Sequence, residues 1–252
     1  MEGAVERSTR IPAASAPEAP LPPRGALGRA FDLAFVAGFV GLWLALAARF
    51  VTASSALEVV VSIAVAFVPA LLAADLAAGL LHWFADTFFA RTTPLIGPTL
   101  VHAFRDHHRD PTAIARRGIV EVSGQNCFAC VGILLPGLLL DAGSPAGRFA
   151  LVLLLLFALA IALTNLFHRW AHAERVHPAI AVLQRAGAIL SPARHAVHHR
   201  GAHDRAFCVT TGWLNAPLDR IGFFGALERA VRRAAPRGGR APRRLAKPSR
   251  AN

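Results

Sequence analysis

Four long apolar segments dominate the pattern of hydrophobic and polar positions along the chain. They cover residues 32–51, 57–81, 127–140 and 149–167. Three of them reach or approach the ~20 residues that a helix needs to cross about 30 Å of hydrocarbon. The third has only 14 residues, so a re-entrant segment is the alternative to a full crossing. The pattern predicts an all-α integral membrane protein with four transmembrane helices.

The distribution of charge predicts the topology of these spans. The loops after the first and third spans carry only Arg49 in one case, and Asp141 and Arg148 in the other. The loop 91–125 and the C-terminal tail hold the dense arginines, and such segments stay in the cytoplasm. We therefore expect both termini to be cytoplasmic. Basic residues are almost all Arg, as in GC-rich bacteria, and a bacterial inner membrane is the expected location.

Composition sets the domain boundaries. A hydrophobic fraction of 54% and a mean hydropathy of +0.45 exclude an ordinary soluble domain. Residues 1–30 lack periodicity and predict a disordered cytoplasmic leader, ahead of one membrane domain at 31–228. The tail 229–252 is basic and contains no acidic residue. It predicts a disordered segment near anionic lipid headgroups rather than a nucleic-acid site.

The second span continues as a helical pattern beyond the membrane, to about residue 89. Asp75, Gly79, His82 and Asp86 follow one another at steps of four, three and four, which places them in one stripe on a helix. An unpaired carboxylate is costly in an apolar helix. Asp75 should therefore face the bundle interior and contact a partner, for which a ligand histidine is the candidate.

Histidines gather where the predicted spans reach the cytoplasmic surface. The groups are His82; His102, His107 and His108; His168 and His172; and His195, His198, His199 and His203. Neutral imidazoles at i, i+3 and i+4 spacing can each donate a lone pair to a metal ion. A histidine-rich surface loop is the alternative for the last group alone. These histidines suffice for two metal ions, so we predict a histidine-rich helical cap over the four spans.

The chemistry of the donors favours iron. No HExxH zinc motif is present, and cysteine ligands are lacking, so two non-haem iron ions are the predicted cofactors. At a membrane surface such a centre suits O2-dependent removal of hydrogen from a lipid chain. The chain carries no haem, flavin or iron–sulfur motif. An external electron donor of the ferredoxin or cytochrome b5 type is therefore expected.

Four segments resemble the lipid desaturase domain of plasmanylethanolamine desaturases. They are GLLHWFADTF (79–88), FRDHHRDPTAI (104–114), NLFHRWAH (165–172) and HHRGAHDRAFCVTTGWLNAPLDRIGFF (198–224). The resemblance covers roughly residues 70 to 230, and the family also includes bacterial regulators of carotenoid synthesis and a plant chloroplast fatty acid desaturase. It implies introduction of the vinyl ether double bond into the 1-O-alkyl chain of an ether phospholipid.

The resemblance also implies the site residues. The matching ligand histidines are His82, His107, His108, His168, His172, His195, His198, His199 and His203. His102 lies outside the matching motif and is a ligand candidate by proximity alone. Asp75 and Asp86 would orient ligand rings through their N–H groups, and Asn165 would hold a metal-bound water, with a direct ligand role as the alternative for each. All of them are predicted to lie on the cytoplasmic side.

Two alternatives remain open at this point. The same iron site could desaturate or hydroxylate an acyl chain, and Ala202 and Ala206 replace the family's usual Pro and Tyr, which weakens the substrate assignment. A membrane metal transporter or sensor would instead need polar residues through the bilayer centre. The first, third and fourth spans have none at their centres, which disfavours this class.

Overall fold

The computed structural model describes residues 25–89, 93, 107–108, 110–200 and 202–234, and within them all regular secondary structure is helical. The helices are α1 (Ala26–Thr52), α2 (Ala56–Phe88), α3 (Ala113–Arg116), α4 (Ile119–Leu134, continuing as the 3₁₀ turn Leu135–Leu139), α5 (Pro145–His172), α6 (Pro178–Arg185), α7 (Pro192–His199), α8 (Asn215–Arg220) and α9 (Phe223–Ala234). Helices α1, α2, α4 with its 3₁₀ turn, and α5 are long and apolar enough to cross a membrane. The predicted four-span, all-α membrane fold is confirmed.

The third span begins earlier than predicted. Its apolar run starts at residue 127, but the helix starts at Ile119 and makes a segment of 21 residues with its 3₁₀ turn. Glu121, Gln125 and Asn126 lie in the first turns and hide this beginning from a hydropathy pattern. The segment is thus long enough for a complete crossing, and residues 119–125 belong to a helix rather than to the predicted loop.

The ends of the membrane domain also differ slightly from the sequence pattern. Helix α1 begins at Ala26, inside the predicted leader 1–30, and α9 runs to Ala234, inside the predicted tail 229–252. Residues 1–24 and 235–252 lie outside the described part of the chain. Disorder in the leader and tail, and the exact limits of the domain, stay predictions.

Local sequence signals define where two important helices begin. Ser55 and Glu58 form a capping box at the start of α2, in which each side chain bonds the other's backbone N–H. Helix α7 starts with Ser191, whose hydroxyl accepts a hydrogen bond from the Arg194 N–H, and with Pro192 in the first turn. This start sets the phase of α7, which carries three of the predicted ligands.

Helix α5 lies at the centre of the bundle. Helices α2 and α4 both pack against it, and α1 packs mainly against α4. The core between α1, α4 and α5 contains the fully buried Leu46, Leu134 and Leu151. Helices α2 and α5 end, and α4 begins, at the same end of the bundle. We call this the histidine end, because His82 and His168 lie there.

Candidate metal centre

Eight of the nine matching histidines gather in two groups at the histidine end. The five-histidine group contains His107, His168, His172, His195 and His199. The aspartate group contains His82, Asp86, His108 and His198. Within each group the candidate ligand atoms lie within 4.8 Å of one another, so each group could hold a metal ion.

The ring nitrogens of the five-histidine group point at one another. The Nε2 atom of His168 lies 2.9 Å from that of His107 and 2.8 Å from that of His195. The Nε2 atom of His199 lies 2.9 Å from both, and that of His172 lies 3.1 Å from His107. One imidazole nitrogen carries at most one hydrogen, so these contacts cannot all be hydrogen bonds. Nitrogens bound to one ion at ~2.1 Å would be about 3 Å apart, and the spacing fits that arrangement.

Burial favours the neutral form of four candidate ligands outside the membrane-spanning helices. It lowers the pKa of His107, His195 and His198 well below the usual value of 6.5, and neighbouring imidazoles lower it further. Burial likewise lowers the pKa of His199 to about 3. A neutral ring has a free lone pair, which is the form that binds a metal ion.

Asp86 shares the second group with three rings. Its Oδ2 atom lies 3.3 Å from Nε2 of His82, 3.5 Å from Nε2 of His108 and 3.7 Å from Nε2 of His198. The Nε2 atoms of His108 and His198 are 2.9 Å apart. The carboxylate therefore lies among the nitrogens that would face the ion. Of the two roles predicted for Asp86, this position suits a direct ligand better than the orientation of rings from behind.

Two rings of the aspartate group are held from behind by backbone. Nδ1 of His82 lies 3.1 Å from the Phe207 carbonyl oxygen, and Nδ1 of His198 lies 2.8 Å from that of Arg205. In the tautomer that donates these bonds, Nε2 carries the lone pair and faces the group. The carbonyls belong to residues 205–215, which we call the anchor segment.

Asp75 holds the anchor segment against α2. Its Oδ1 accepts hydrogen bonds of 3.1, 2.9 and 3.0 Å from the N–H groups of Thr210, Thr211 and Gly212. Its Oδ2 accepts a bond of 3.1 Å from the Leu214 N–H. Asp75 is fully buried, as predicted, but its partners are backbone amides and not a ligand histidine. Asp75 therefore contacts the anchor segment, which in turn bonds the rings of His82 and His198.

Asn215 and Gly79 make two further contacts with the anchor segment. Sequence reasoning did not assign either contact. Asn215 accepts a bond from the Cys208 N–H through Oδ1 and donates one to the Cys208 carbonyl through Nδ2. A Cβ atom on Gly79 would lie 2.6 Å from Sγ of Cys208. The close approach of α2 thus requires a glycine in the stripe that contains His82.

The remaining predicted site residues are His203, His102 and Asn165. His203 belongs to neither group, and its ring stacks on that of His108 with centroids 4.2 Å apart, so its ligand role remains a prediction. His102 lies outside the described residues. The Asn165 amide donates to the Val122 carbonyl and to Oδ1 of Asn126. It thus connects α5 to α4 one turn before His168, and its predicted bond to a water remains untested.

A cavity of about 430 Å³ adjoins the five-histidine group. It lies between α2, α4 and α5, with His107 and His168 in its wall at one end, and Ile133 and Phe157 at the other. Phe157 and His168 are eleven residues apart on α5, which corresponds to about 16 Å of helix. Among the described residues that line the cavity, none belongs to the aspartate group.

A four-span helical bundle with a histidine-rich candidate metal centre and an adjoining apolar cavity defines a membrane protein suited to lipid chemistry. The chain belongs to the lipid desaturase domain family, whose family model matches residues 71–244. It is therefore an integral membrane oxidoreductase of lipid metabolism, a lipid desaturase. The family resemblance in the sequence is confirmed.

Several relatives carry more specific names. The chain is 33% identical over 204 residues to plasmanylethanolamine desaturase of Myxococcus xanthus, covering 81% of this chain and 72% of the relative. It is 39% identical over 166 residues to plasmanylethanolamine desaturase 1 of Mus musculus, covering 62% and 60%. It is 33% identical over 160 residues to fatty acid desaturase 4-like 1 of Arabidopsis thaliana, a chloroplast protein, covering 63% and 52%. No solved structure matches the chain.

Proposed function

We propose that this lipid desaturase introduces the vinyl ether double bond into the 1-O-alkyl chain of an ether phospholipid, converting plasmanylethanolamine to plasmenylethanolamine. Two relatives with this name, from a bacterium and a mammal, support the substrate class. The observation that carries the proposal is the position of the five-histidine group, which adjoins one end of an apolar cavity.

The position of the histidines in the cavity favours reaction close to the lipid headgroup. His168 shares its end of the cavity with Arg117 and Glu121, whereas the opposite end has Ile133 and Phe157. A lipid lying with its headgroup at the charged end would bring its first chain carbons to the histidines. The two carbons of a vinyl ether bond are the first two after the ether oxygen. The rest of the chain would occupy about 16 Å of apolar cavity.

Two non-haem iron ions are the proposed cofactors, one in each group. The convergent Nε2 atoms, the neutral rings and the single carboxylate form a nitrogen- and oxygen-donor set that fits iron. We propose His203 as a further ligand because it lies in the segment that matches the family, and its ring stacks on that of His108 beside the aspartate group. When bound, iron supplies O2 activation and the removal of hydrogen from an unactivated C–H bond.

The overall reaction requires reducing equivalents from outside the chain. One –CH2–CH2– unit, one O2, two electrons and two protons give one –CH=CH– unit and two waters. A ferredoxin- or cytochrome b5-type carrier is the proposed source of the electrons. We place the metal centre and both termini in the cytoplasm of a bacterial cell, with the spans in the inner membrane, because the basic tail has the charge of a cytoplasmic flank.

The protein residues have defined tasks in this scheme. Asp75 fixes the anchor segment, and the anchor segment turns Nε2 of His82 and His198 towards the aspartate group. The walls provided by α2, α4 and α5 bind the chain and exclude water from its first carbons. Ile133 and Phe157 contact the distal part of the chain.

Desaturation of an acyl chain is the second candidate. The relatives from Arabidopsis thaliana are named fatty acid desaturases and are 31–33% identical to this chain. An ester-linked chain would fit the same apolar cavity. Hydroxylation would use the same ligands, so products distinguish these activities.

The proposal is tested by expressing the chain in an aerated bacterium that lacks plasmalogens and is supplied with a 1-O-alkyl phospholipid. Lipids are treated with acidic methanol and analysed for dimethyl acetals. We expect acetals with the intact chain and with His177→Ala, which alters an exposed histidine outside both groups, but not with His199→Ala. A new acyl double bond without acetals would favour the second candidate. Unchanged lipids would overturn the substrate class, provided that the cells supply a reductant and that the protein purified from them contains iron.

A further inference from the structure

Three amide side chains line the cavity next to the five-histidine group. Gln125 and Asn126 lie on α4 and Asn165 lies on α5, and all three contribute to the cavity wall together with His168. Asn165 is three residues from His168, which is about 4.5 Å along the helix. Amides are costly in a membrane-spanning segment unless they have a partner or a function.

Hydrogen bonds within the protein explain two of these amides. Asn165 uses both N–H groups on α4, and Asn126 donates one N–H to the Ile161 carbonyl at 2.9 Å. These bonds hold α4 against α5. The Gln125 amide makes no hydrogen bond to the described part of the chain, although it is half-buried and faces the cavity. Helix packing therefore accounts for Asn126 and Asn165 but not for Gln125.

An apolar cavity alone cannot define which carbon reacts. Contacts between methylenes and aliphatic walls are non-directional, and they remain almost unchanged when a chain slides by one carbon. A hydrogen bond is directional and short-ranged, so one donor can fix the register of the chain. The natural acceptor is the oxygen that joins the chain to glycerol, since it lies next to the first carbons.

We propose that Gln125 is a positioning residue that donates a hydrogen bond to this chain-linking oxygen, assisted by the second N–H of Asn126. The inference rests on the proposed function, because it assigns the cavity to the reacting chain of an ether phospholipid. Gln125 would hold the oxygen near the level of His168, and the first two carbons would lie at the five-histidine group. The chain would enter sideways between α2 and α4, which both lie on α5.

The location of the chain is tested by filling the cavity from α2. Ala77 lines the cavity, whereas Ala73, one turn earlier on the same helix, is exposed and lies outside it. Purified, iron-loaded protein in nanodiscs is titrated with a fluorescent 1-O-alkyl phospholipid. We expect Ala77→Phe to weaken binding at least about tenfold and Ala73→Phe to leave it unchanged. Equal binding by both variants would overturn the assignment of this cavity.

The role of Gln125 is tested with two lipids that differ in one atom. One is the 1-O-alkyl phospholipid, and the other has a methylene in place of the ether oxygen. We expect the intact protein to bind the ether lipid about 2- to 10-fold more tightly, as one hydrogen bond predicts, and Gln125→Leu to bind both equally. If Gln125 had a merely structural role, Gln125→Leu would weaken the binding of both lipids alike and leave the ratio of their affinities unchanged.

The outcomes separate this inference from the function on which it rests. If Gln125→Leu retains the preference for the ether lipid while the intact protein forms vinyl ether, the inference alone is overturned. If the intact protein shows no preference between the two lipids, recognition of the oxygen is also overturned. If the intact protein binds neither lipid, the ether-lipid function fails as well.

Discussion

The five-histidine group and the aspartate group are both rich in histidine, but they differ in their contact with the cavity and in the hydrogen bonds that hold their rings. The first contains only imidazoles, and His107 and His168 also line the cavity. Nδ1 of His107 and of His195 is buried without a hydrogen-bond partner in the described part of the chain. The second group contains a carboxylate, has no member among the described residues that line the cavity, and has two rings bonded to the anchor segment. On the proposed function, the five-histidine group would face the substrate, and the aspartate group would hold its ion in a more rigid support.

The difference also has an electrostatic side. A carboxylate offsets part of the charge of a divalent ion, and neutral imidazoles offset none. The ion in the five-histidine group would therefore keep more of its positive charge beside the lipid chain. The aspartate group should bind its ion more firmly, and changes in its support should act mainly on that ion.

The largest expected effect is the loss of one ligand from either group. His168→Ala, in the five-histidine group, and His198→Ala, in the aspartate group, should each reduce desaturation to background, because both ions are needed. Each variant should retain about one iron per chain, measured by elemental analysis of purified protein. Substantial activity in either variant would contradict a joint role of the two groups.

Removal of the carboxylate charge should have a smaller and more local effect. Asp86→Asn keeps the size of the side chain but should weaken iron binding by the aspartate group at least about tenfold. Tenfold is the lower end of the loss in metal affinity that follows when residues supporting metal ligands are changed. Titration with a chelator should reveal one weakened ion and one unchanged ion. Asp110→Asn is the control, since Asp110 bonds Arg116 and Thr112 at the surface. Equal weakening of both ions would contradict the division into groups.

Loosening the anchor segment should have the smallest effect on the ions. Asp75→Asn leaves one oxygen for the four N–H groups that the carboxylate holds, and should cost about 2 kcal/mol of unfolding free energy. Thermal unfolding should occur at a lower temperature, with weaker retention of the ion in the aspartate group. Asp219→Asn, which alters the acceptor of one N–H at Ala206, should do less. Equal stability of Asp75→Asn and the intact chain would refute this role.

Local patterns in the sequence predict the spans well, but not where polar residues extend them. Residues 57–89 contain no turn signal, and α2 is indeed one helix to Phe88. In the third span, Glu121, Gln125 and Asn126 interrupt the apolar pattern, although they lie within the helix. All three line the cavity, and Asn126 also bonds α5. Their environment is set by α5, which comes some twenty residues later in the sequence.

The histidine cluster was predictable, but its division was not. Neighbours on a helix point about 100° apart, so His198 joins the aspartate group while His195 and His199 join the other. His107 and His108 separate in the same way. The backbone partners of Asp75 are more than 130 residues away in sequence. Such pairings depend on tertiary packing, which spacing along one helix cannot reveal.

The most direct test of the two-group arrangement is the iron content and Mössbauer spectrum of the unaltered protein, reconstituted with ⁵⁷Fe without oxygen. We expect two irons per chain with two distinguishable signals, one from a site with only nitrogen ligands from the protein and one from a site with a carboxylate. His172→Ala should remove or alter the first signal, and Asp86→Asn should alter the second. One iron per chain, or a spectrum in which Asp86→Asn changes both signals alike, would contradict two separately built metal sites.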